Sequence, residues 1–194
     1  MAKRILIIDG HPDSDACRLC HGLANAYAAG ATDGGHEIRR IDLHALDFPL
    51  LRTRADFDHG EPPDDIAAAQ AAIMWAEHLV IVYPLWLGTM PALLKAFLEQ
   101  VIRPSFAFER GRPGWPKKLL KGRSARIVVT MGMPVMVYRW IYLSHSLRSL
   151  ERNILKFAGI GPIRETLFGM TDDEGERVRN RWIARMTAFG QAGE

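Results

Sequence analysis

Apolar positions along this chain fall into two alternating patterns. Short continuous runs, Arg4-Ile5-Leu6-Ile7-Ile8, His78 to Tyr83 and Ala125 to Thr130, are too short for helices and rich in β-branched residues. Runs of that kind predict strands buried on both faces. His36 to Asp42 alternates apolar and polar residues, as a less buried strand does, and Ile163 to Phe168 reads as a last strand. Between these runs the apolar residues recur at helical spacing. They predict helices from about Ala16 to Ala31, from Asp64 to Ala76, from Ala92 to Val101, and one ending near Ala158 before Gly159-Ile160-Gly161-Pro162. Asp172-Asp173 opens a final helix, whose arginines mark it as a solvated outer surface. Alternating strands and helices imply right-handed βαβ crossovers and a parallel sheet covered on both faces.

In the order 2-1-3-4-5, the loops after strands one, three and four share one rim of a five-stranded sheet. These loops are Gly10–Asp15, Pro84–Pro91 and Met131–Pro134. Open α/β sheets bind ligands at this rim. The first loop runs from a strand into a helix N-terminus, where unpaired N–H groups and the helix dipole attract anions. His11 and Arg18 are placed to add charge-assisted contacts to a phosphate, although a turn-stabilising His11 and a solvated Arg18 explain the same residues. In the second loop, Pro84 and Pro91 stiffen the backbone and Gly88 permits close approach, with Trp86 between them. A planar, polar-edged ring suits such a loop; a Trp that merely covers the sheet end is the other reading. Neither the glycine fingerprint of dinucleotide folds nor a Walker loop is present.

Two long connections, 43–63 and 103–123, are of a length that usually carries function or wraps a partner. Phe106, Phe108 and Trp115 in the second are candidate walls for a flat substrate, among the bases Lys117, Lys118, Lys121 and Arg123. Cys17-Arg18-Leu19-Cys20-His21 matches the spacing of covalent haem attachment. Attachment of that kind goes with export, and Met1-Ala2-Lys3-Arg4 leads into a strand with no signal-peptide pattern. A dithiol pair at a helix N-terminus competes with two small side chains on an amphipathic helix.

Composition narrows the class. With 194 residues, 48% hydrophobic and 24% charged, the chain reads as one globular domain over 1–194. A formal charge of +3 without a clustered basic patch does not point to nucleic acid. Two cysteines and no apolar run of membrane-spanning length make the cytoplasm the expected location.

Taken together, Gly10-His11-Pro12, Pro84-Leu85-Trp86 with Pro91-Ala92-Leu93-Leu94-Lys95, Phe106-Ala107-Phe108, Leu120-Lys121-Gly122 and Phe157-Ala158-Gly159 resemble the NAD(P)H:quinone oxidoreductase branch of the flavodoxin-like fold. That branch includes diaphorase-like enzymes, drug-activity modulators and ancillary subunits of potassium efflux systems. The resemblance implies a flavodoxin-like three-layer α/β sandwich holding a flavin, FAD before FMN, with NAD(P)H as co-substrate and a quinone-like acceptor. It places the flavin phosphate at His11 and the first helix, and the ring on Pro84, Leu85, Trp86 and Leu87 beside Thr130, Met131, Gly132 and Met133. Tyr138 and His145 match the family's catalytic Tyr and His, with Tyr142 competing for the Tyr role. The chain departs from the family at Ala16-Cys17-Arg18, where Ser-Phe-Asn is common, and Arg18 is the candidate replacement for the lost hydroxyl. The resemblance also implies a homodimer. A second expectation is a regulatory subunit that docks on a membrane potassium-efflux transporter through its basic 117–123 segment and long loops.

Overall fold

A computed structural model of the chain describes residues 1–109, 116–172 and 175–194. In chain order its elements are β1 (Arg4–Asp9), α1 (Leu19–Asp33), β2 (Glu37–Asp42), α2 (Arg54–His59), α3 (Asp64–Trp75), β3 (His78–Pro84), α4 (Ala92–Val101), β4 (Phe108–Glu109), β5 (Lys117–Lys118), β6 (Ser124–Thr130), α5 (Val135–Trp140), α6 (His145–Ser149), α7 (Lys156–Ala158), β7 (Ile163–Phe168) and α8 (Glu176–Ala192). The main sheet has the order β2-β1-β3-β6-β7, with every neighbouring pair parallel. Counted within this sheet, that is the expected 2-1-3-4-5.

The apolar runs behave as their composition requires. β3 is buried over its whole length. Its alternate side chains enter two cores, because successive residues of a strand point to opposite faces. Leu79, Ile81 and Tyr83 pack with Ile66, Leu94 and Phe97 of α3 and α4. Val80 and Val82 pack with Leu23 and Tyr27 of α1 and Met186 of α8. On that second face the helix backbones of α1 and α8 nearly touch. A Cβ on Gly30 would stand 2.0 Å from the Thr187 carbonyl oxygen, and one on Gly190 would stand 2.2 Å from that of Tyr27.

Three expectations about local structure change. The first helix begins at Leu19, not Ala16, because residues 16–18 form a turn that Cys17 N stabilises by donating to Asp15 Oδ1 at 3.0 Å. The 43–63 connection contains α2, started by the Thr53 hydroxyl accepting from Asp56 N at 3.1 Å. The helix expected to end near Ala158 is interrupted. Leu143 and Ser144 adopt left-handed backbone angles between α5 and α6, and a π-helical stretch, Leu150–Leu155, separates α6 from α7.

In the 103–123 connection, β4 and β5 pair antiparallel. Three of the four basic residues at 117–123 have partners within the chain among the described residues. Lys117 Nζ donates to Glu109, Lys118 Nζ to the Lys156 carbonyl, and Arg123 to the carbonyls of Ile73 and Met74. Among the described residues, no helix is long and apolar enough to cross a membrane.

Candidate functional site

The parallel register brings the ends of β1, β3 and β6 to one rim, with Pro84 paired to Thr130 and Asp9 beside Val82. A cleft of about 370 Å³ opens there. His11, Cys17, Arg18 and Cys20 line one end, Pro84, Leu85 and Trp86 another, and Thr130, Met131 and Gly132 a third side. The structure therefore brings together eight residues expected at a cofactor site: His11, Arg18, Pro84, Leu85, Trp86, Thr130, Met131 and Gly132.

At the phosphate end, no side chain caps α1; the His21 amide donates to the Arg18 carbonyl at 3.0 Å, and the two residues before it, Leu19 and Cys20, line the cleft. His11 is buried. Its Nδ1 accepts from Asp13 N at 3.1 Å, which leaves the ring proton on Nε2 as a donor. Burial, and next the neighbouring His21, hold the His11 pKa below its ordinary value. Arg18 is half exposed, with its guanidinium 2.6 Å from Asp13 Oδ2 and 3.7 Å from Asp15 Oδ2. Cys20 is buried and its Sγ lies 3.3 Å from Thr130 Oγ1, while Cys17 is exposed. Burial pushes the Cys20 thiol up to about 12, so it stays protonated near neutral pH and is a poor redox partner for Cys17.

At the ring end, Trp86 N donates to Thr89 O and Thr89 N donates to Trp86 O, both at 2.9 Å, closing a tight turn. Leu87 and Gly88 occupy its centre at φ 47° and 78°. Both angles are positive, which suits Gly88 and costs Leu87, whose side chain stands fully exposed at the tip. The Trp86 amide is thus used inside the turn and is no free donor for a ring edge. The Trp86 ring is partly exposed and meets His11 edge-on at 5.7 Å.

Several expected site residues stand elsewhere. Tyr138 is fully buried; its hydroxyl lies 2.7 Å from Ser146 Oγ and accepts from Leu147 N at 3.1 Å. The phenol braces the α5–α6 bend and does not reach the cleft. Tyr142 and His145 are exposed, with His145 Nδ1 2.7 Å from the Tyr142 carbonyl oxygen. Neither lines the cleft. Phe108 is buried edge-on to Phe157 at 4.9 Å, Phe106 is partly buried against the main core, and neither lines the cleft. Met133 likewise packs against the core. Trp115 lies outside the described residues.

Sequence reasoning missed Thr171, Asp172 and Arg179, which close the outer side of the cleft. The available signal was the position of β7 beside β6, which puts its following loop on the same rim. It also missed Asp9, wholly buried at the end of β1.

The residues fit a phosphorylated flavin: basic groups and helix amides gather at one end of the cleft, and an apolar, Trp-bearing loop stands at the other. A family profile described as a flavodoxin-like fold matches residues 3–188, and the chain belongs to that family. Among relatives, an uncharacterised NAD(P)H oxidoreductase of Haemophilus influenzae is 27% identical over 189 residues, spanning 94% of this chain and 93% of that protein. The FMN-dependent NADH:quinone oxidoreductase of Ruegeria pomeroyi is 27% identical over 148 residues, spanning 69% and 72% of the two chains. In structure, the NAD(P)H:quinone oxidoreductase from Methanothermobacter marburgensis superposes with a TM-score of 0.83 at 19% identity, over 98% of this chain and 96% of that one.

Proposed function

We propose that residues 1–194 form one FMN-binding domain of an NAD(P)H:quinone oxidoreductase. The observation that carries this reading is the single cleft joining an uncapped helix N-terminus, His11 and Arg18 to the Pro84–Trp86 loop. FMN replaces the FAD expected first, supported by the FMN dependence in the name of the Ruegeria relative. When bound, the flavin supplies the hydride chemistry, taking hydride from a nicotinamide and giving it to a quinone-like acceptor.

The chain's own residues bind, orient and screen. His11 Nε2–H and the amides of Leu19 and Cys20 at the start of α1 receive the phosphate, with Arg18 adding charge from the exposed side. Leu85 and Trp86 give the ring an apolar floor, and Met131 and Gly132 bound it from β6. Tyr142 takes the acceptor-side role from Tyr138, because its ring is exposed while that of Tyr138 is buried. His145 joins it, with Nδ1–H donated to the Tyr142 carbonyl and Nε2 left to exchange a proton with an acceptor.

A homodimer supplies what the single chain leaves open. Met136, Trp140, Ile141 and Leu143 are 63%, 71%, 72% and 55% exposed around the α5–α6 bend. A cluster of large apolar side chains at that exposure is typical of an interface. A second copy covering it would also enclose Tyr142 and His145. Light scattering should give twice the chain mass for wild type and a shift toward monomer for Trp140→Asp; a wild-type monomer with full activity would remove the dimer. The cytoplasm remains the proposed location.

The direct test is the cofactor. Purified protein should be yellow, and heat release should give FMN on chromatography. Protein that is colourless and takes up neither FMN nor FAD would sink the reading.

A further inference from the structure

His21 belongs to no role described so far. It sits in the first turn of α1, buried, against the back of the loop that forms the phosphate end of the cleft. Its Nδ1 lies 2.6 Å from Asp9 Oδ2 and its Nε2 lies 2.8 Å from the Asp13 carbonyl oxygen. A carbonyl can only accept. Asp9 also has no proton to offer: its carboxylate accepts from His11 N at 3.2 Å and from Arg40 at 3.0 Å as well. A neutral imidazole carries one N–H and would press a lone pair against one of these oxygens. Both nitrogens therefore carry protons. His11, one loop away, has the opposite state, because its Nδ1 accepts from Asp13 N.

We infer that His21 is a buried imidazolium that clamps the 10–18 loop between Asp9 and Asp13 into its phosphate-receiving shape, so that loss of its proton weakens FMN binding. This rests on the flavin reading above. It makes His21 a positioning residue, since it touches the loop and not the ligand.

The mechanical link is short. Asp13 gives its carbonyl to His21, its amide to His11 Nδ1 and its carboxylate to Arg18. Releasing the carbonyl loosens two cleft residues at once. The charged surroundings are these. Asp9 faces the ring from β1, and Arg40 reaches Asp9 from β2 while also holding Asp42 at 2.6 Å and Asn25 of α1. The rings of His11 and His44 stand 5.3 and 5.5 Å away. Burial works against a charged His21, but the hydrogen bonds to Asp9 and Asp13 outweigh it and raise its pKa above 6.5.

The sign follows. A raised pKa means that the clamp is complete below pH 6.5 and is lost as pH rises through the folded value. His11, lowered from 6.5 by burial and by the neighbouring His21, gives up its proton at lower pH than His21 does. The FMN phosphate, with a second ionisation at about pH 6, is mostly a dianion from about pH 6.5 upward, and what remains to ionise would strengthen binding as pH rises, opposite in sign to the loss of the clamp. Affinity for FMN should therefore fall on the alkaline side for a reason that lies in the protein.

The test has two arms. In the first, nitrogen NMR of flavin-free protein with isotope-labelled histidine should show both His21 nitrogens protonated at neutral pH, losing one proton only above the ordinary histidine range. In the second, fluorescence titration with FMN is run from pH 6.5 into the mildly alkaline range on wild type, His21→Gln, His21→Lys and His44→Gln. Wild type and His44→Gln should lose affinity by about tenfold, the loss of one charge-assisted contact. His21→Gln should start weak and stay flat. His21→Lys keeps a charge facing Asp9 and should stay flat at higher affinity than His21→Gln. Riboflavin, which lacks the phosphate, should show no such slope. A neutral His21 in the NMR arm while FMN binds would overturn the clamp alone, as would equal slopes in wild type and His21→Gln. An imidazolium in a protein that binds no FMN would overturn the flavin reading and the affinity half of this inference with it.

Discussion

Replacing Tyr138 with Phe separates a bracing role from a chemical one. The substitution keeps the ring, which is fully buried, and removes the hydroxyl that bonds Ser146 Oγ at 2.7 Å and Leu147 N at 3.1 Å. The serine hydroxyl can turn to another acceptor, but the Leu147 N–H sits in the first turn of α6 and loses its partner where water does not reach. A buried donor left unpaired costs about 1–3 kcal/mol. Taking about 2 kcal/mol, and about 2–4 °C per kcal/mol for a chain of this size, Tm should fall by about 4–8 °C. Because the hydroxyl faces the core, the rate at which nicotinamide bleaches each bound flavin should be unchanged. Calorimetry of the flavin-saturated protein reads the first quantity and anaerobic stopped-flow absorbance reads the second. An unchanged Tm with reduction slowed by about a hundredfold, the scale of a lost general acid, would refute the placement of Tyr138.

Gly30→Ala forces a methyl to within 2.0 Å of the Thr187 carbonyl oxygen, so α1 and α8 must part. Urea denaturation should show a loss of about 3 kcal/mol, the upper end for overpacking a tight contact. In native protein, iodoacetamide should label Cys17 and spare Cys20, whose thiol is buried and held protonated by a pKa of about 12; mass spectrometry showing both labelled at equal rate would contradict that burial. Arg18→Ala should weaken FMN by about threefold at low salt and less at high salt, because the half-exposed guanidinium already pairs with Asp13 and Asp15. An unchanged dissociation constant would return Arg18 to the solvated surface.

The parts legible in the amino-acid order are those that local pattern determines. A run such as His78 to Tyr83 is too short for a helix, rich in β-branched residues and without a polar face, so it reads as a strand buried on both sides, and the neighbouring strands follow from the same rule. Sheet order then places the loops, and eight cleft residues came with them. What stayed hidden depends on contacts between distant residues or on which way one side chain turns. Tyr138 and Tyr142 are four residues apart in the sequence, yet one is wholly buried and the other exposed, because α5 ends at Trp140 and only Tyr138 lies within it. His21 stood inside a cysteine motif that drew attention to the thiols, while its partner Asp9 lies 12 residues earlier and Arg40 lies 31 residues beyond Asp9. Phe106 and Phe108 have the composition of a pocket wall, but the β4–β5 pairing and Phe157 hold Phe108 in the core, with Phe106 partly buried beside it.

A double-mixing stopped-flow experiment without oxygen bears most directly on the proposed activity. Flavin-loaded protein is mixed first with NADH or NADPH and then with a simple benzoquinone. The expected course is loss of the oxidised-flavin absorbance in the first mix and its full return in the second, with one quinone reduced per flavin. Absorbance that stays oxidised with both nicotinamides, or that bleaches but does not recover with quinone, would contradict the assignment of this cleft to nicotinamide-to-quinone hydride transfer.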